Sequence, residues 1–419
     1  MPNTVRRPDD DRRRWEAQRR RQREEAERRE QARTSRDRRQ RTTQLERQSL
    51  MGPMDLPFLL LTLLLTGVGL VMVFSASFPS AYYETGDGAY YFKRQLIFAV
   101  LGLFAMVVMS RINYQRLRGA SKLLLGFAVF LLVLVIVPKN PLAITNNNAT
   151  RWLGTEGFSF QPSEIAKLAV VVYFADSISK KKDKMRTFHY GVLPYAFILV
   201  VIGGLVAVEP HLSGAILILG AGAAMMLVGG INWAWVGAAA GAAVGLVYVA
   251  LFVIGYNPSR VTYWLNPWAD DPLDKGYQLR QSLITIGSGG LWGLGLGKSR
   301  QKFLFLPEEH NDFIFSIVCE ELGLIGAGII MLLFAALVLR GYWIALHCRD
   351  RFGTLLVVGF TTLMAVQVFL NIAVVSGVLP TTGISLPFFS YGGTALCVQL
   401  AEMGVILSVS RQMKPTKAG

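Results

Sequence analysis

The sequence predicts an all-α integral membrane protein with ten transmembrane helices and both termini in the cytoplasm. Of its 419 residues, 52% are hydrophobic, and apolar runs of about 20 residues, long enough to cross a bilayer, recur along the chain. Lys and Arg are concentrated in alternate short loops, and this asymmetry sets the orientation of the helices. The first apolar run begins only near Met54, so no cleavable signal peptide is expected.

The chain is expected to comprise a charged tail, residues 1–50, and a polytopic membrane domain, residues 51–419. The tail holds 17 Arg, no Lys and 10 acidic residues, a net charge of +7. Because it has almost no apolar residues, we expect a cytoplasmic segment that is disordered or forms a charged single helix. RNA binding is less favoured, since aromatic residues do not alternate with the arginines.

Ten apolar segments account for the membrane domain. The fourth is short, and the sixth is rich in Gly and Ala, so Gly214, Gly220, Gly222 and Gly241 are expected to pack against neighbouring helices. The loop at 256–312 carries six basic residues but is placed outside, because long loops escape the positive-inside rule. The segments are 55–77, 95–112, 120–138, 164–178, 190–208, 212–230, 233–255, 313–340, 353–378 and 391–410.

This topology places most of the remaining polar residues on the outer face of the membrane. ATP and NAD are not available there, so any chemistry must use an already activated substrate or an ion gradient, without a nucleotide. The three cysteines and four histidines are scattered, so neither a disulfide nor a zinc site is indicated. The outer loops are 78–94, 139–163, 209–211, 256–312 and 379–390.

Three charged residues are expected near the outer ends of membrane spans. Asp312 directly precedes the eighth apolar segment, and an ionised side chain costs about 2.5–3.5 kcal/mol at the centre of a membrane helix. Pro162 and Ser163 suit a helix start, so Glu164 and Lys167 would share one helix face. We expect an ion pair between Lys167 and Asp312, with Glu164 alongside.

This cluster has two interpretations. In the first, the ion pair only holds the fourth and eighth spans together. In the second, it is an outward-facing acid/base site, where a competing carboxylate and a low dielectric raise the pKa of Asp312 and suit it to act as a general base.

Two further patterns need an interpretation. The run Gly293–Ser299 has a superficial likeness to a phosphate-binding loop but lacks its first glycine and its strand–helix context, so Gly287–Gly297 is interpreted as flexible loop turns. Gln367 and Asn371 share one face of the ninth span, where we favour hydrogen bonds between helices, with lining of a cavity as the alternative.

Six groups of motifs, spread in order over about residues 55 to 411, resemble those of the SEDS family (shape, elongation, division and sporulation) of bacterial peptidoglycan polymerases. Each motif alone is weak, and their joint occurrence carries the resemblance. They are RW-x-G, QPSE-x-x-K, NPW-x-D followed by GYQ-x-x-QS, GSGG-x-x-G-x-GLG-x-S-x-QK, LPE-x-H-x-DFIF and P-x-TG-x-x-LPF-x-SYGG.

The resemblance implies a multi-pass protein of the bacterial cytoplasmic membrane that polymerises lipid II on the outer face. Lipid II is a disaccharide-peptide on an undecaprenyl pyrophosphate carrier, so the substrate brings its own activation. The resemblance makes Asp312 the essential acid, with Glu164 and Lys167 as its charged partners. Candidate substrate contacts are Arg151, Trp152, Gln161, Ser163, Trp268, Tyr277, Gln281, Ser282, Lys302, Glu308, His310, Thr382, Ser390 and Tyr391.

The expected reaction is glycosyl transfer with inversion. Asp312 would take the proton from the GlcNAc 4-hydroxyl of the acceptor. Lys167, Arg151 and a divalent cation, Mg²⁺ or Mn²⁺, would stabilise the departing pyrophosphate, with Asp312 as the candidate metal ligand. Two positions depart from the family pattern, because Asn311 stands where threonine is common and His211 where aspartate is frequent.

Family members act with a class B penicillin-binding protein as transpeptidase, so we expect this partner, together with proteins of the division or elongation complex and membrane lipids, and no nucleic acid. The segments LPTTG and SYGGTAL and the long tail favour a role in division over elongation or sporulation. Two other functions stay open. A lipid II flippase would need charged residues along a path through the membrane, and mid-span charges are few. A non-catalytic scaffold for the transpeptidase would leave Asp312 and Lys167 without a reason to lie so close to hydrocarbon.

Overall fold

The structure, a computed structural model, describes residues 52–137, 140–146, 149–155, 158–209, 211–238, 241, 258–269 and 276–413. The chain divides into two compact units at residues 53 and 54, and the second unit is the membrane domain described below. The predicted tail, residues 1–50, lies outside the described residues. So does most of the predicted seventh span, 233–255, of which only 233–238 and 241 are described.

Helices make up most of the membrane domain. A 3₁₀ segment, Lys182–Arg186, and a π-helical turn, Phe188–Val192, connect α4 to α5. The helices are α1 (Leu56–Thr85), α2 (Tyr90–Arg111), α3 (Gln115–Ile136), α4 (Pro162–Lys181), α5 (Leu193–Val208), α6 (Leu212–Val228), α7 (Pro258–Leu265), α8 (Tyr277–Ser288), α9 (Ile314–Leu346), α10 (Arg351–Val375) and α11 (Gly393–Ser410).

Several of these helices are membrane spans by length and composition. Within the described ranges, seven helical segments qualify, namely α1, α2, α3, Phe188–Val208, α9, α10 and α11, and α6 is a shorter apolar helix. The prediction of an integral membrane protein built mostly of helices is therefore confirmed. The count of ten spans stays a prediction.

Three short strands between α3 and α4, within the predicted loop 139–163, form a small antiparallel sheet that the sequence analysis did not predict. They are β1 (Ala143–Asn146), β2 (Ala149–Thr155) and β3 (Phe158–Phe160), in the order β1-β2-β3. Leu153 of β2 is buried and packs against Leu131 and Val135 of α3. The pairing of β1 with β2 shifts register at Arg151, which lies between the paired residues Thr150 and Trp152. Its side chain reaches the end of α5, where Arg151 Nε donates to the backbone oxygen of Glu209.

The centre of the domain is formed by α4 and α10, which bury residues on every side. The two helices touch at Gly359, where a methyl group would lie 2.5 Å from the Val171 side chain. The predicted packing contacts of Gly214 and Gly222 with a neighbouring helix are confirmed. A methyl group would lie 3.2 Å from Val206 of α5 at Gly214 and 2.6 Å from Leu199 of α5 at Gly222. A methyl group on Gly220 would lie 3.9 Å from the Val366 side chain of α10, an ordinary packing contact, so that prediction is also confirmed. A methyl group on Gly241 would meet none of the described residues within 4 Å.

The segment between α8 and α9 runs alongside α9 instead of extending away from it. Leu294 N–H donates to Glu320 O at 2.9 Å, and Leu324 N–H donates to Gly290 O at 2.9 Å. Glu320 lies about 9 Å along α9 from its first residue. Irregular backbone is tolerated at that depth of a membrane protein only where it packs against protein. The predicted turns are present from Gly289 onward, after the end of α8 at Ser288. Hydrogen bonds to α9 hold their backbone in place.

Candidate active site

Asp312 lies at the end of this irregular segment, just before α9, and is held there through its backbone. Asn371 Nδ2 of α10 donates to Asp312 O at 2.8 Å, and Ser390 Oγ donates to Asn311 O at 2.7 Å. The carboxylate faces the 380–391 loop, where a methyl group on Gly383 would lie 3.2 Å from Asp312 Oδ2. Three elements therefore converge on one partly buried carboxylate.

Aromatic rings support the same segment from the N-terminal end of α2. The His310 ring stacks on Tyr91 with 4.7 Å between ring centroids, and Tyr391 meets His310 at 5.8 Å. Tyr391 N–H also donates to His310 O at 2.8 Å. Glu309 accepts hydrogen bonds from Ser80 and lies 3.3 Å from His310 Nδ1. These contacts fix the position of the residues immediately before Asp312.

The surroundings of Asp312 make it a stronger proton acceptor than an ordinary aspartate. Burial raises its pKa from 3.8 to about 6, with a further contribution from the negative charge of Glu308. Arg151 and His310 act in the opposite direction. At pH 7 such a group is still about nine-tenths ionised. It therefore meets both requirements of a general base, being charged and having a pKa near the working pH.

Glu164 and Lys167 lie on one face of α4, as the i,i+3 spacing predicts, and form a buried ion pair of 2.8 Å. The helix begins at Pro162, also as predicted. The predicted ion pair between Lys167 and Asp312 is wrong: in the described part of the chain, the carboxylate paired with Lys167 is Glu164. The positive charge that acts most on Asp312 comes from Arg151 of β2.

A small cavity lies beside this ion pair. It offers about 10 Å³ to the centre of a water molecule, which is room for about one water. Glu402 of α11 contributes a second buried carboxylate to its wall. Sequence reasoning missed Glu402, although a carboxylate within an apolar segment is itself a functional signal. The lining residues are Glu164, Lys167, Leu363, Met364, Gln367, Pro387, Phe388, Gln399, Glu402 and Met403.

Arg151 joins Asp312 to the loop between α5 and α6. Its Nε donates to Glu209 O at 3.2 Å, and its charge acts on Asp312, Glu209 and His211. Burial raises the pKa of Glu209 to about 8 against the influence of Arg151. Burial, with Arg151 and Lys167, lowers the pKa of His211 to about 3. His211 is thus neutral, and its Nδ1 lies 2.8 Å from Gln161 Nε2.

Several buried polar atoms around Asp312 and Arg151 accept or donate no hydrogen bond to any described residue. Such atoms are rare in folded proteins and indicate bound water or a polar ligand. We call this set, together with Asp312 and Arg151, the outer cluster. The atoms are Ser163 Oγ, both carboxylate oxygens of Glu209, Asn371 Oδ1 and Thr382 Oγ1.

Comparison with known proteins identifies the family. A family model described as "Cell cycle protein", covering FtsW, RodA and SpoVE, matches residues 55–415. The chain belongs to the FtsW/RodA/SpoVE family. It is therefore a multi-pass protein of the cytoplasmic membrane, and the SEDS resemblance is confirmed.

Curated relatives and solved structures match the chain over most of its length. It is 43% identical over 362 residues, 86% of this chain and 96% of the relative, to the "Probable peptidoglycan glycosyltransferase FtsW" of Geobacter sulfurreducens. It is 42% identical over 362 residues, 85% and 97% of the two chains, to the "Stage V sporulation protein E" of Bacillus subtilis.

Two solved structures share the fold. A chain of a peptidoglycan synthase complex, studied for coordination of polymerization and crosslinking, is 28% identical with a TM-score of 0.72, covering 87% of this chain and 99% of the other. The rod shape determining protein RodA of Thermus thermophilus is 27% identical with a TM-score of 0.64, covering 87% and 98%.

Two predicted substrate contacts of this FtsW/RodA/SpoVE member are engaged in structural contacts. Ser282 is fully buried, and its Oγ donates to Val375 O at 2.6 Å and contacts Ser316 Oγ at 2.8 Å. Lys302 is buried and pairs with Glu321 at 2.9 Å. Their motifs therefore hold α8 and the segment after it against α9 and α10. Their role as substrate contacts stays a prediction.

Lys302 belongs to a second buried set that sequence reasoning missed. Lys302 Nζ also donates to Ser75 Oγ of α1 at 3.1 Å, and Ser75 Oγ donates to Glu321 at 2.7 Å. Glu320 accepts from the hydroxyl of Ser299 and from the N–H of Arg300. We call Ser75, Ser299, Lys302, Glu320 and Glu321 the loop-anchoring network.

The remaining predicted contacts occupy varied positions. Glu308 accepts from Asn311 Nδ2 at 2.6 Å and so orients the residue before Asp312. Gln367 Nε2 donates to Ser385 O at 2.9 Å and Asn371 Nδ2 donates to Ile384 O at 2.6 Å. Both amides thus bond to the 380–391 loop, and Gln367 also lines the cavity. Trp152, Tyr277 and Gln281 are partly buried, and Trp268 is 62% exposed.

Proposed function

We propose that this protein is a peptidoglycan glycosyltransferase that polymerises lipid II on the outer face of the cytoplasmic membrane, in an FtsW-like role in cell division. The names of its curated relatives support the activity. The observation that carries the assignment to this site is the setting of Asp312: a partly buried carboxylate with a raised pKa, fixed by α10 and the 380–391 loop, beside an arginine.

In the proposed reaction, Asp312 accepts the proton of the acceptor's GlcNAc 4-hydroxyl as that oxygen attacks the anomeric carbon of the donor. The bond from this carbon to the pyrophosphate oxygen breaks, and the pyrophosphate leaves with the electron pair. A single displacement inverts the anomeric configuration. The raised pKa of Asp312 increases its basicity without neutralising it at pH 7.

The departing pyrophosphate needs positive charge, and Arg151 is the better placed of the two predicted cations. Its guanidinium is close enough to Asp312 to influence the charge there, and Arg binds phosphate groups through paired hydrogen bonds. Lys167 is already neutralised by Glu164 at 2.8 Å. We infer that Lys167 mainly organises the floor of the site, while Arg151 faces the leaving group.

A divalent cation fits this site only if the protein and the substrate hold it together. Among the described residues, no group of three or more His, Cys, Asp and Glu side chains is placed to hold a metal ion. Mg²⁺ is commonly held by one or two carboxylates together with substrate phosphates and waters. If Asp312 held the ion in place of acting as the base, Asp312, Glu308 and the pyrophosphate would supply such a set, and the ion would offset charge on the leaving group.

The decisive experiment measures glycan polymer formed from purified lipid II by the protein in detergent or liposomes. Asp312→Asn is expected to reduce the rate by at least about 100-fold, because general-base catalysis contributes about 10²–10⁴-fold. Asp87→Asn is the matched control: Asp87 is an exposed outer-loop carboxylate paired with exposed Lys93, and its loss should leave the rate unchanged.

Failure of the wild-type protein to form polymer, alone and with a class B penicillin-binding protein present, would refute the proposal. Movement of lipid II across liposomes without polymerisation would favour the flippase. Full activity of Asp312→Asn would refute the assignment of Asp312 as the general base.

We also propose ten spans, cytoplasmic termini and a class B penicillin-binding protein as partner. The similarity to a chain from a complex that coordinates polymerization and crosslinking supports that partner. Single cysteines tested with a membrane-impermeant maleimide check the orientation, in a background lacking the three native cysteines. Asp87→Cys should react in intact cells, and Lys184→Cys only after permeabilisation. The reverse pattern would place the outer cluster in the cytosol and rule out the proposed reaction.

A further inference from the structure

Glu209 is a buried carboxyl group for which the mechanism above has no use. It lies at the C-terminal end of α5 and is 2% exposed. Neither of its carboxylate oxygens accepts a hydrogen bond from any residue that the structure describes. An ionised carboxylate buried without hydrogen bonds is strongly disfavoured, whereas a neutral carboxylic acid is far easier to accommodate. The geometry alone therefore favours the protonated form.

Its neighbour is the arginine that we assign to the leaving group. Arg151 Nε donates to the backbone oxygen of Glu209 at 3.2 Å, so the guanidinium lies beside the residue without a hydrogen bond to its carboxylate. Carboxylates and guanidinium groups form strong paired hydrogen bonds when both are charged. An ionised Glu209 would therefore compete with pyrophosphate for Arg151.

We propose that Glu209 is a positioning residue that must be a neutral carboxylic acid for Arg151 to engage the pyrophosphate of the substrate. When Glu209 loses its proton to solvent, the carboxylate draws the guanidinium to itself and binding of the leaving group weakens. This inference rests on the proposed function, and it adds a proton-dependent control of Arg151 that acts separately from the base.

The groups facing Glu209 define the pH range of the effect. Arg151 from β2 is charged throughout, and His211 at the start of α6, with its pKa lowered to about 3, does not titrate near neutrality. Burial raises the pKa of Glu209 to about 8, and Asp312 titrates at about 6. Activity should therefore rise through pH 6 as Asp312 ionises and fall above pH 8 as Glu209 ionises, giving a bell-shaped profile.

The test is the pH profile of lipid II polymerisation between pH 5 and 10 for the wild type and for Glu209→Gln, which mimics the neutral acid. Wild-type activity at pH 9 should be about one-tenth of its maximum, one unit above the pKa. In Glu209→Gln, the ratio of the activity at pH 9 to the activity at pH 7 should stay close to one, because the alkaline fall is lost. The fall at acid pH should remain, because it belongs to Asp312. Asp87→Asn is the control and should keep both limbs.

A second variant, Arg151→Gln, tests the proposal independently if Glu209→Gln does not fold. Arg151→Gln should be slow at every pH, and its residual activity should also lack the alkaline fall, since Glu209 acts through Arg151. Melting temperatures of all variants identify any loss of folded protein.

Three results would overturn the inference while leaving the proposed function intact. One is an alkaline fall at the same pH in Glu209→Gln. Another is the same alkaline fall in Arg151→Gln. The third is a folded but inactive Glu209→Gln, since the ionised form would then be required. A wild-type protein without polymerase activity at any pH would instead refute the proposed function itself.

Discussion

The outer cluster and the loop-anchoring network both bury charge in the same helical domain, but their hydrogen bonds are satisfied very differently. In the loop-anchoring network, Glu321 accepts from Lys302, Ser75 and the Ser299 backbone. In the outer cluster, Glu209 accepts no hydrogen bond at either oxygen from the described residues. Buried polar groups with satisfied partners hold a structure together, whereas unsatisfied ones cost stability and are kept where a ligand or water completes them.

This difference distinguishes one motif from two others, although all three have equally functional patterns in the sequence. The GLG-x-S-x-QK motif holds the segment before Asp312 against α1 and α9, through Ser299 and Lys302. The QPSE and DFIF motifs supply Ser163 and Asp312 to a region rich in unsatisfied atoms. The first motif thus anchors the segment that leads to Asp312, and the other two contribute side chains to the site itself.

The largest expected effect comes from breaking the satisfied network. Lys302→Met removes the cation from a buried pair and leaves Glu321 charged, which should lower the free energy of unfolding by about 3–5 kcal/mol. Thermal or detergent-challenge unfolding measures this loss. The double variant Lys302→Met with Glu321→Leu should recover much of it, because a buried pair replaced by apolar groups is often nearly neutral. A small effect of the single variant would mean that the network does not anchor the loop.

In the outer cluster, substitution of Asp312 is expected to change stability in the opposite direction. Its pKa is about 6 in the folded protein and 3.8 when unperturbed, so the folded state favours the neutral form. Stability is therefore highest below about pH 4 and is lost as the pH rises through 6, by up to about 3 kcal/mol at pH 7. Asp312→Asn should be inactive yet melt at an equal or higher temperature at pH 7. A clear drop in melting temperature would show that Asp312 supports the fold.

Arg151 should affect activity more than stability. Arg151→Lys keeps the charge but loses the paired geometry that suits phosphate groups. A charge-assisted hydrogen bond contributes about 1.5–3 kcal/mol, so the rate should fall by about 10–100-fold while the melting temperature changes little. Measuring both lipid II concentration dependence and maximal rate shows whether the loss occurs in binding or in the reaction. An unchanged rate would return the leaving-group role to Lys167.

Local features of this fold were predictable from the sequence. Which charged side chains pair with one another was not. Helix geometry fixes Glu164 and Lys167 on one face, and Pro162 marks the helix start, so both predictions hold. The pairing of Lys167 depends on distances between helices, and a carboxylate three residues away on its own helix outcompeted Asp312. Arg151 was flagged by its motif, but its position follows from a small sheet that the pattern of apolar residues does not reveal.

The sequence indicates a special role for some of the buried acids that the sequence analysis missed, but not for all of them. Glu320, Glu321 and Glu402 stand within apolar segments, where any carboxylate is a candidate for function. Only the structure separates them, because Glu320 and Glu321 bond to the irregular segment while Glu402 faces a cavity. Glu209 lies in the short loop predicted at 209–211, where a charged residue is expected to be exposed, so its burial could not be predicted from the sequence.

The smallest effects are expected for two buried serines, Ser163 and Ser282, which form a matched pair. Ser163 Oγ is buried without a hydrogen bond among the described residues, and Ser282 Oγ is buried with two partners. Ser282→Ala should cost about 1–2 kcal/mol of stability, because Ser316 and Val375 lose their partner. Ser163→Ala should be neutral or slightly stabilising in the protein alone. It should nevertheless slow polymerisation several-fold if its hydroxyl meets the substrate, as the outer cluster predicts. Equal losses of stability in the two variants, measured by thermal unfolding, would show that unsatisfied atoms do not mark the ligand site.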